Sequence, residues 1–443
     1  CGDGANAPSS CLFLVYMNYL QAVEYIESLG VFGIKAGLER IEYLLDQLGQ
    51  PQERIKCIHV AGTNGKGSVC SMLEAMLAEY TTGKFTSPHL VSYNERFSLN
   101  GSPITDQDFA DLVGKIRPIV DTMPADLRPT QFELLTAMAF EYFAAKQVDY
   151  AIIEVGLGGL LDSTNVITPL VSVITNVDMD HMDKCGNTLA EIAAHKAGII
   201  KAEVPVVTAA GGEALKVVKA RATELNCKCL IYGEQFAATS IRAAIPEDLT
   251  QQFAYIYMEQ ELRGSLRLIG AHQLLNAAVA ITAVVEILGW ERAGLAAQKI
   301  VNSRWAGRLE LVASNPTVIL DGAHNLAGAK VLRDTLDSVF SDRPICFILG
   351  FMQDKDIHGI VDILLKPKDW VIPVVADPDY PRSATVEYIK KFLPLGQLPT
   401  GAEQELTYTQ ALQKARECVG TEGVICIAGS LYLIGRIKQE NIV

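Results

Sequence analysis

The sequence predicts an α/β protein of two domains, on three observations. Short apolar runs bounded by turn residues alternate with helix-period segments almost throughout, the pattern of parallel strands joined by crossover helices. A second series of the same kind begins after Trp305. Glycines and polar residues gather where the strands end, and open parallel sheets bind ligands outside those carboxyl ends. At about 150 residues per domain, 443 residues fit two or three domains.

In the first series the candidate strands are residues 56–61, 149–155, 171–176 and 204–208. Helices are expected at 37–48, 68–80, 106–120, 132–145, 189–199 and 273–288. The segment 37–48 places Leu38, Ile41, Leu44, Leu45 and Leu48 on one face. The second series has strands at 317–320, 345–349, 371–375 and 424–428, with helices near 327–339, 385–392 and 407–418. The segment 302–308 separates the two, which gives domains at 1–300 and 301–443. Without a short repeat, a low-complexity block or a long charge run, neither a solenoid nor a disordered tail is expected.

Composition excludes other classes. A chain 49% hydrophobic and 20% charged is neither wholly disordered nor a coiled coil. The balance 38 − 51 = −13 disfavours nucleic-acid and anionic-membrane partners, so an anionic ligand needs a focused local site. Ten cysteines without a CxxC pair suit reduced thiols in the cytoplasm better than zinc or disulfides. The apolar run 277–285 is expected to be a buried helix, too short and interrupted to cross a bilayer. The first 34 residues hold no Lys or Arg, so no secretory signal is expected, and a start at Cys1 reads as a trimmed or mis-started chain.

The strongest local signal is Ala61-Gly62-Thr63-Asn64-Gly65-Lys66-Gly67-Ser68, between a strand and a helix. Glycines let backbone N–H groups curl around phosphate oxygens, the helix N-terminus adds positive potential, and Lys66 supplies a full charge. The strict nucleotide-loop pattern fails twice, at Val60 and Gly67. Glu154 ends an otherwise apolar strand ahead of Gly156, Gly158 and Gly159, and a buried carboxylate asks for a partner or a metal. Asp180-His181 ends the next strand and Lys196 follows on a helix. Oxygen and imidazole ligands beside phosphates suit magnesium or manganese. An unmodified lysine cannot ligate a cation; it pairs with phosphate or carries a modification that makes it an anion. Ser87 follows a short run at 84–85 and reaches the same edge. In the second series Asp321 and His324 end a strand, and Arg308 is placed to meet a transferring phosphoryl group. One site served by both series is the economical reading.

Together these residues resemble the folylpolyglutamate synthases of the Mur ligase superfamily, whose phosphate loop takes the variant form seen here. The resemblance runs from Gly33-Ile34-Lys35-Ala36-Gly37 to Gly429-Ser430-Leu431-Tyr432. Between them come Ser87-Pro88-His89-Leu90, Glu154-Val155-Gly156-Leu157-Gly158-Gly159, Asp180-His181, His195-Lys196, His272-Gln273 with Asn276, Gly307-Arg308 and Asp321-Gly322-Ala323-His324-Asn325, in the family's order. It implies an N-terminal P-loop ATPase-like, mostly parallel sheet with flanking helices and a smaller C-terminal Rossmann-like α/β domain that serves glutamate ligation. It implies ATP contacts from Thr63, Asn64, Gly65, Lys66, Gly67, Ser68, Asn276, Arg308, Asp321 and His324. Ser87, Glu154 and His181 would hold two Mg²⁺, with K⁺ as a further cation and Lys196 carbamylated. Lys66, His181, Lys196 and Arg308 would serve catalysis, and Thr130, Phe132 and Asp162 the folate or dihydropteroate substrate. A cytoplasmic monomer acting on small molecules is implied, with neither nucleic acid nor membrane as partner. Leu160 stands where the family usually has a polar residue. The other readings are a different Mur-type amino-acid ligase, usually preceded by a longer N-terminal domain, and a noncatalytic nucleotide-binding switch.

Overall fold

The computed structural model describes residues 16–32, 37–179 and 182–443. By backbone proximity the chain divides into two compact units. The first takes in the described residues up to Lys66, with Leu77–Pro88 and Tyr93–Cys229; the second takes in Gly67–Met76, His89–Ser92 and Leu230–Val443.

An eight-stranded sheet comprises β1 (Cys57–Ala61), β2 (Thr82–Phe85), β3 (Phe97–Leu99), β4 (Ser102–Pro103), β5 (Tyr150–Glu154), β6 (Val171–Ile174), β7 (Val206–Thr208) and β8 (Cys229–Ile231). Its order is β4-β3-β2-β5-β1-β6-β7-β8. The pairings of β2 with β5, β5 with β1, β1 with β6 and β6 with β7 are parallel, and the β2–β3–β4 edge turns antiparallel. Helices Asp106–Thr122 and Gln131–Ala145 bury Phe109, Val113, Leu134 and Phe140 in one core with Phe85, Phe97 and Ile153. Helices Leu189–Ala197 and Gly212–Glu224 close a second core over Ile174 and Val206. Capping boxes start two of these helices, Thr130 with Glu133 and Thr188 with Glu191, each satisfying otherwise orphaned N–H groups.

In the second unit β9 (Phe236–Arg242), β10 (Gln251–Tyr257) and β11 (Gln260–Leu266) form an antiparallel sheet that the alternating pattern did not anticipate. Its strands are half polar and carry no crossover helix, so they escape a search for apolar runs. The last sheet contains β12 (Glu310–Ser314), β13 (Thr317–Leu320), β14 (Ile345–Leu349), β15 (Trp370–Pro373) and β16 (Val424–Ala428), in the order β12-β13-β16-β14-β15. It is parallel except at the β12 edge. Ile319 and Phe347 pack one face while Val318, Leu320 and Ile348 pack the other, so both faces are covered and the strands read as unbroken apolar runs.

Helix Ala271–Leu288 corrects one expectation. At 18 residues it is long and apolar enough to cross a bilayer by length and composition, because the helix extends beyond the run 277–285 at both ends. It is nonetheless a core helix, 67% buried within the protein, as expected. The helix expected at 385–392 is a single short turn, Val386–Lys390.

Candidate functional site

Parallel pairing in the order β2-β5-β1-β6 brings four strand ends to one edge. Val60 lies opposite Glu154, Phe85 opposite Ile153 and Ala61 opposite Ile174. Glu154 closes β5, and the segments after the other three strands carry Ser87, the loop 62–66 and Asn176. The Ser87 N–H donates to Glu154 Oε2 at 2.9 Å. Glu154 is 3% exposed, and its carboxylate therefore sits in a low-dielectric setting beside a second oxygen-bearing residue.

Loop 62–66 is braced by the segment after β6. Thr63 N–H donates to Asn176 O at 3.1 Å and Asn64 N–H to Asn176 Oδ1 at 2.8 Å. Thr175 Oγ1 donates to Asn64 O at 2.6 Å. Gly65 has φ 84°, a left-handed conformation that glycine adopts without a steric penalty. Lys66 Nζ donates to Gly62 O at 3.0 Å and Thr63 O at 3.3 Å, which holds its charge over the loop. A lysine and a glycine-bearing turn at a helix N-terminus can cradle phosphates. Asn176 was not among the expected site residues; an asparagine at the end of the expected strand 171–176 was the available signal.

After Glu154 the chain closes on two neighbours. A side chain at Gly156 would overlap the Phe132 ring, and one at Gly159 would lie 2.6 Å from His195 O and 3.1 Å from Lys196 Cα. Lys196, 5% exposed, lies in the last turn of its helix, so this loop crosses directly over it. Phe132 stacks on Phe85 with centroids 5.9 Å apart. Thr130 caps its helix through Glu133, and Glu133 pairs with Arg40 at 2.9 Å. The Asp162 carboxylate accepts from Leu157 N–H at 2.8 Å and Thr164 N–H at 3.0 Å. Burial raises its pKa, and these hydrogen bonds oppose the rise. Leu160, 43% exposed, donates its N–H to His195 O at 2.7 Å. Asp180, His181 and the segment 33–36 lie outside the described residues.

In the second unit, Ser68 on helix Lys66–Met76 accepts from Gln273 Nε2 at 3.3 Å, and Gln273 Oε1 accepts from Asn276 Nδ2 at 3.0 Å. A side chain at Gly67 would overlap the Trp305 ring, so the variant glycine has a packing reason. Asp321 and Arg308 form a separate cluster. Asp321 Oδ2 accepts from Leu309 N–H and Oδ1 from Ala323 N–H, both at 2.8 Å. Leu309 has φ 45°, strained for a leucine, and the Asp321 bond helps to hold the turn that presents Arg308. Burial raises the Asp321 pKa against the opposing Arg308 guanidinium. His324 Nδ1 lies 2.8 Å from Gly322 O, which sets the neutral ring's proton on Nδ1.

Among the described residues no group of three or more His, Cys, Asp or Glu side chains converges as a protein-only metal cage. Ser87 and Glu154 are hard oxygen donors, which fit magnesium, an ion that usually takes one or two carboxylates and completes its shell with phosphate and water. Every described cysteine is a free thiol.

The Mur ligase middle domain matches residues 60–284, and the dihydrofolate synthetase C-terminal domain matches residues 307–439. The chain is 36% identical to the dihydrofolate synthase/folylpolyglutamate synthase of Bacillus subtilis, over 96% of this chain and 100% of that protein. Mycobacterium tuberculosis folylpolyglutamate synthase, solved with ADP and AMPPCP, superposes with a TM-score of 0.83 at 32% identity, over 96% of this chain and 99% of that one. E. coli FolC, solved with DHPP and ADP, superposes with a TM-score of 0.82 at 27% identity, over 96% and 98%. Sequence likeness along nearly the whole chain and the same architecture in three dimensions agree: the protein belongs to the folylpolyglutamate synthase/dihydrofolate synthase family of Mur ligases.

Proposed function

We propose that this protein is an ATP-dependent amide ligase that adds L-glutamate to folates and also to dihydropteroate. An oxygen of the acceptor carboxylate attacks the γ-phosphorus and ADP leaves, giving an acyl phosphate. The glutamate amine, having lost its extra proton, attacks the acyl carbon, and phosphate departs. The gathering of Ser87, Glu154 and the loop 62–66 at adjacent strand ends, in a member of this family, carries the reading.

Thr63, Asn64, Gly65, Lys66, Gly67 and Ser68 cradle the nucleotide's phosphates, with Asn276, Arg308, Asp321 and His324 as further ATP contacts. Lys66 and Arg308 neutralise charge on the transferring group. Ser87, Glu154 and His181 are the residues that would hold two Mg²⁺, which when bound neutralise phosphate charge. Lys196, buried beneath the glycine loop, is carbamylated and acts as an anion, and K⁺ is a further cation. Thr130, Phe132 and Asp162 serve the pterin acid, an assignment supported by the packing of Phe132 on Gly156. Residues 1–300 form the ATP-binding domain and 301–443 the glutamate-ligase domain, a division supported by the two matched family domains. The protein works as a monomer in the cytoplasm.

The test is phosphate release from ATP with Mg²⁺, L-glutamate and either dihydropteroate or tetrahydrofolate. Release that requires both glutamate and a pterin acid is expected. Turnover with neither acceptor overturns the reading, and the ratio of the two acceptors sets the substrate preference.

A further inference from the structure

The loop 156–159 is held from below by a buried polar chain. Leu157 N–H donates to Asp162 Oδ2 at 2.8 Å, and Thr164 donates twice to Oδ1, from N–H at 3.0 Å and from its hydroxyl at 2.5 Å. Having given its one proton to the carboxylate, Thr164 Oγ1 can only accept from its next neighbour. That neighbour is His59 Nε2, at 2.8 Å. The direction of every bond is thereby set, and the imidazole carries its proton on Nε2.

These side chains lie deep: Asp162 is 6% exposed, and Thr164 and His59 are at 0%. Burial, with Lys201 nearby, lowers the His59 pKa to about 3, so the ring is neutral at physiological pH. Among the described residues His59 Nδ1 has no hydrogen-bond partner. A buried acceptor without a partner weakens a fold, so an apolar residue would serve stability better at this position. The polar chain has another use. It runs from β1, whose end leads into the phosphate loop, to the loop that follows Glu154 and passes between Phe132 and Lys196.

We propose that Thr164 and His59 are positioning residues for the acceptor side of the ligase: they orient the Asp162 carboxylate, which in turn holds the loop 156–159 against Phe132. This rests on the reading of Phe132 and Asp162 as acceptor contacts. Removing the Thr164 hydroxyl takes one donor from a buried carboxylate that also accepts from the backbone of Gly156, Leu157 and Thr164, and the carboxylate then turns to recover a partner and releases Leu157. Small displacements of positioning groups carry large kinetic penalties.

Thr164→Val removes the hydroxyl at nearly equal volume, and Thr164→Ser retains it. The Val variant should raise KM for the pterin acid about tenfold, the scale of one hydrogen bond to a charged group. Its KM for ATP should stay within about twofold, and the Ser variant should match the wild type in both. His59→Leu should follow the Val variant, and His59→Gln, which retains a donor, should recover most of the loss. Amide exchange at Leu157 reads the same link without turnover: faster in the Val variant, unchanged in the Ser variant. Wild-type protection of Leu157 in the Val variant overturns the proposal, as does an equal rise in both KM values, which marks a general lesion. A wild-type protein inert toward every pterin acid sinks the acceptor assignment and this role with it, while Leu157 exchange still decides whether the network holds the loop.

Discussion

The backbone amide of Ser87 donates to a carboxylate oxygen of Glu154 at 2.9 Å, joining two strand ends that lie 67 residues apart in sequence. The bond orients a buried carboxylate without neutralising it. Glu154→Gln keeps the shape and an oxygen acceptor for Ser87 but removes the charge. Loss of one such electrostatic contact should raise the barrier by about 3–4 kcal/mol, a hundredfold to thousandfold fall in turnover. Glutamate-dependent phosphate release measures it, and an unshifted melting temperature shows that the fold survives.

Lys66→Ala should behave alike for a different reason. Among the described residues the ammonium bonds two loop carbonyls, Gly62 O and Thr63 O, so little packing is lost with it. Turnover should fall at least a hundredfold with little change in thermal stability. Near-normal rates would remove Lys66 from the phosphate site.

Lys196 separates charge from structure. Carbamylation requires the neutral amine, and Lys196 is buried, at 5% exposure. Lys196→Ala should abolish ligation, and added short carboxylates should restore part of it by supplying an anion in the space left behind. An alanine variant with intact activity removes the modified lysine from the mechanism.

Gly62 has φ 153°, and a side chain there would overlap the Thr175 hydroxyl. Thr175 is itself committed to Asn64 O, so it cannot turn aside freely. Gly62→Ala should destabilise the protein by about 1–3 kcal/mol and weaken ATP binding. Thermal melting and nucleotide titration report the two effects separately.

His272 offers a pH signature. Burial, with Arg308 nearby, lowers its pKa from 6.5 to about 4. Between those values the unfolded chain binds the proton and the folded one does not, so this contribution to stability is lost as pH falls from 6.5 to 4. Above pH 6.5 both states are neutral and the contribution is constant. In His272→Asn the slope of unfolding free energy against pH should be shallower across that window. Parallel wild-type and variant slopes would remove His272 as its source.

Local pattern carried much of the fold. Strands β13, β14 and β16 coincide with their expected bounds because both faces are buried and every position but Thr317 is apolar. Strand β2 was glimpsed only at 84–85, since Thr82 and Gly83 give no apolar signal although all four residues are buried. The sheet β9–β11 was missed because its antiparallel strands alternate imperfectly, as in Phe236–Arg242, where four consecutive residues are exposed.

The glycine-bearing loop 62–66, the carboxylate Glu154 and the order of motifs are properties of the sequence alone, because glycine spacing and a charge inside an apolar strand are legible residue by residue. Tertiary structure decided which strand ends are neighbours and therefore that Ser87 meets Glu154. It also decided that Asn176 braces the loop 62–66 and that Asp162 joins Thr164 and His59. Those partnerships depend on sheet order and on hydrogen-bond direction, which are set only when distant segments share a buried, low-dielectric space where a polar group must find a partner.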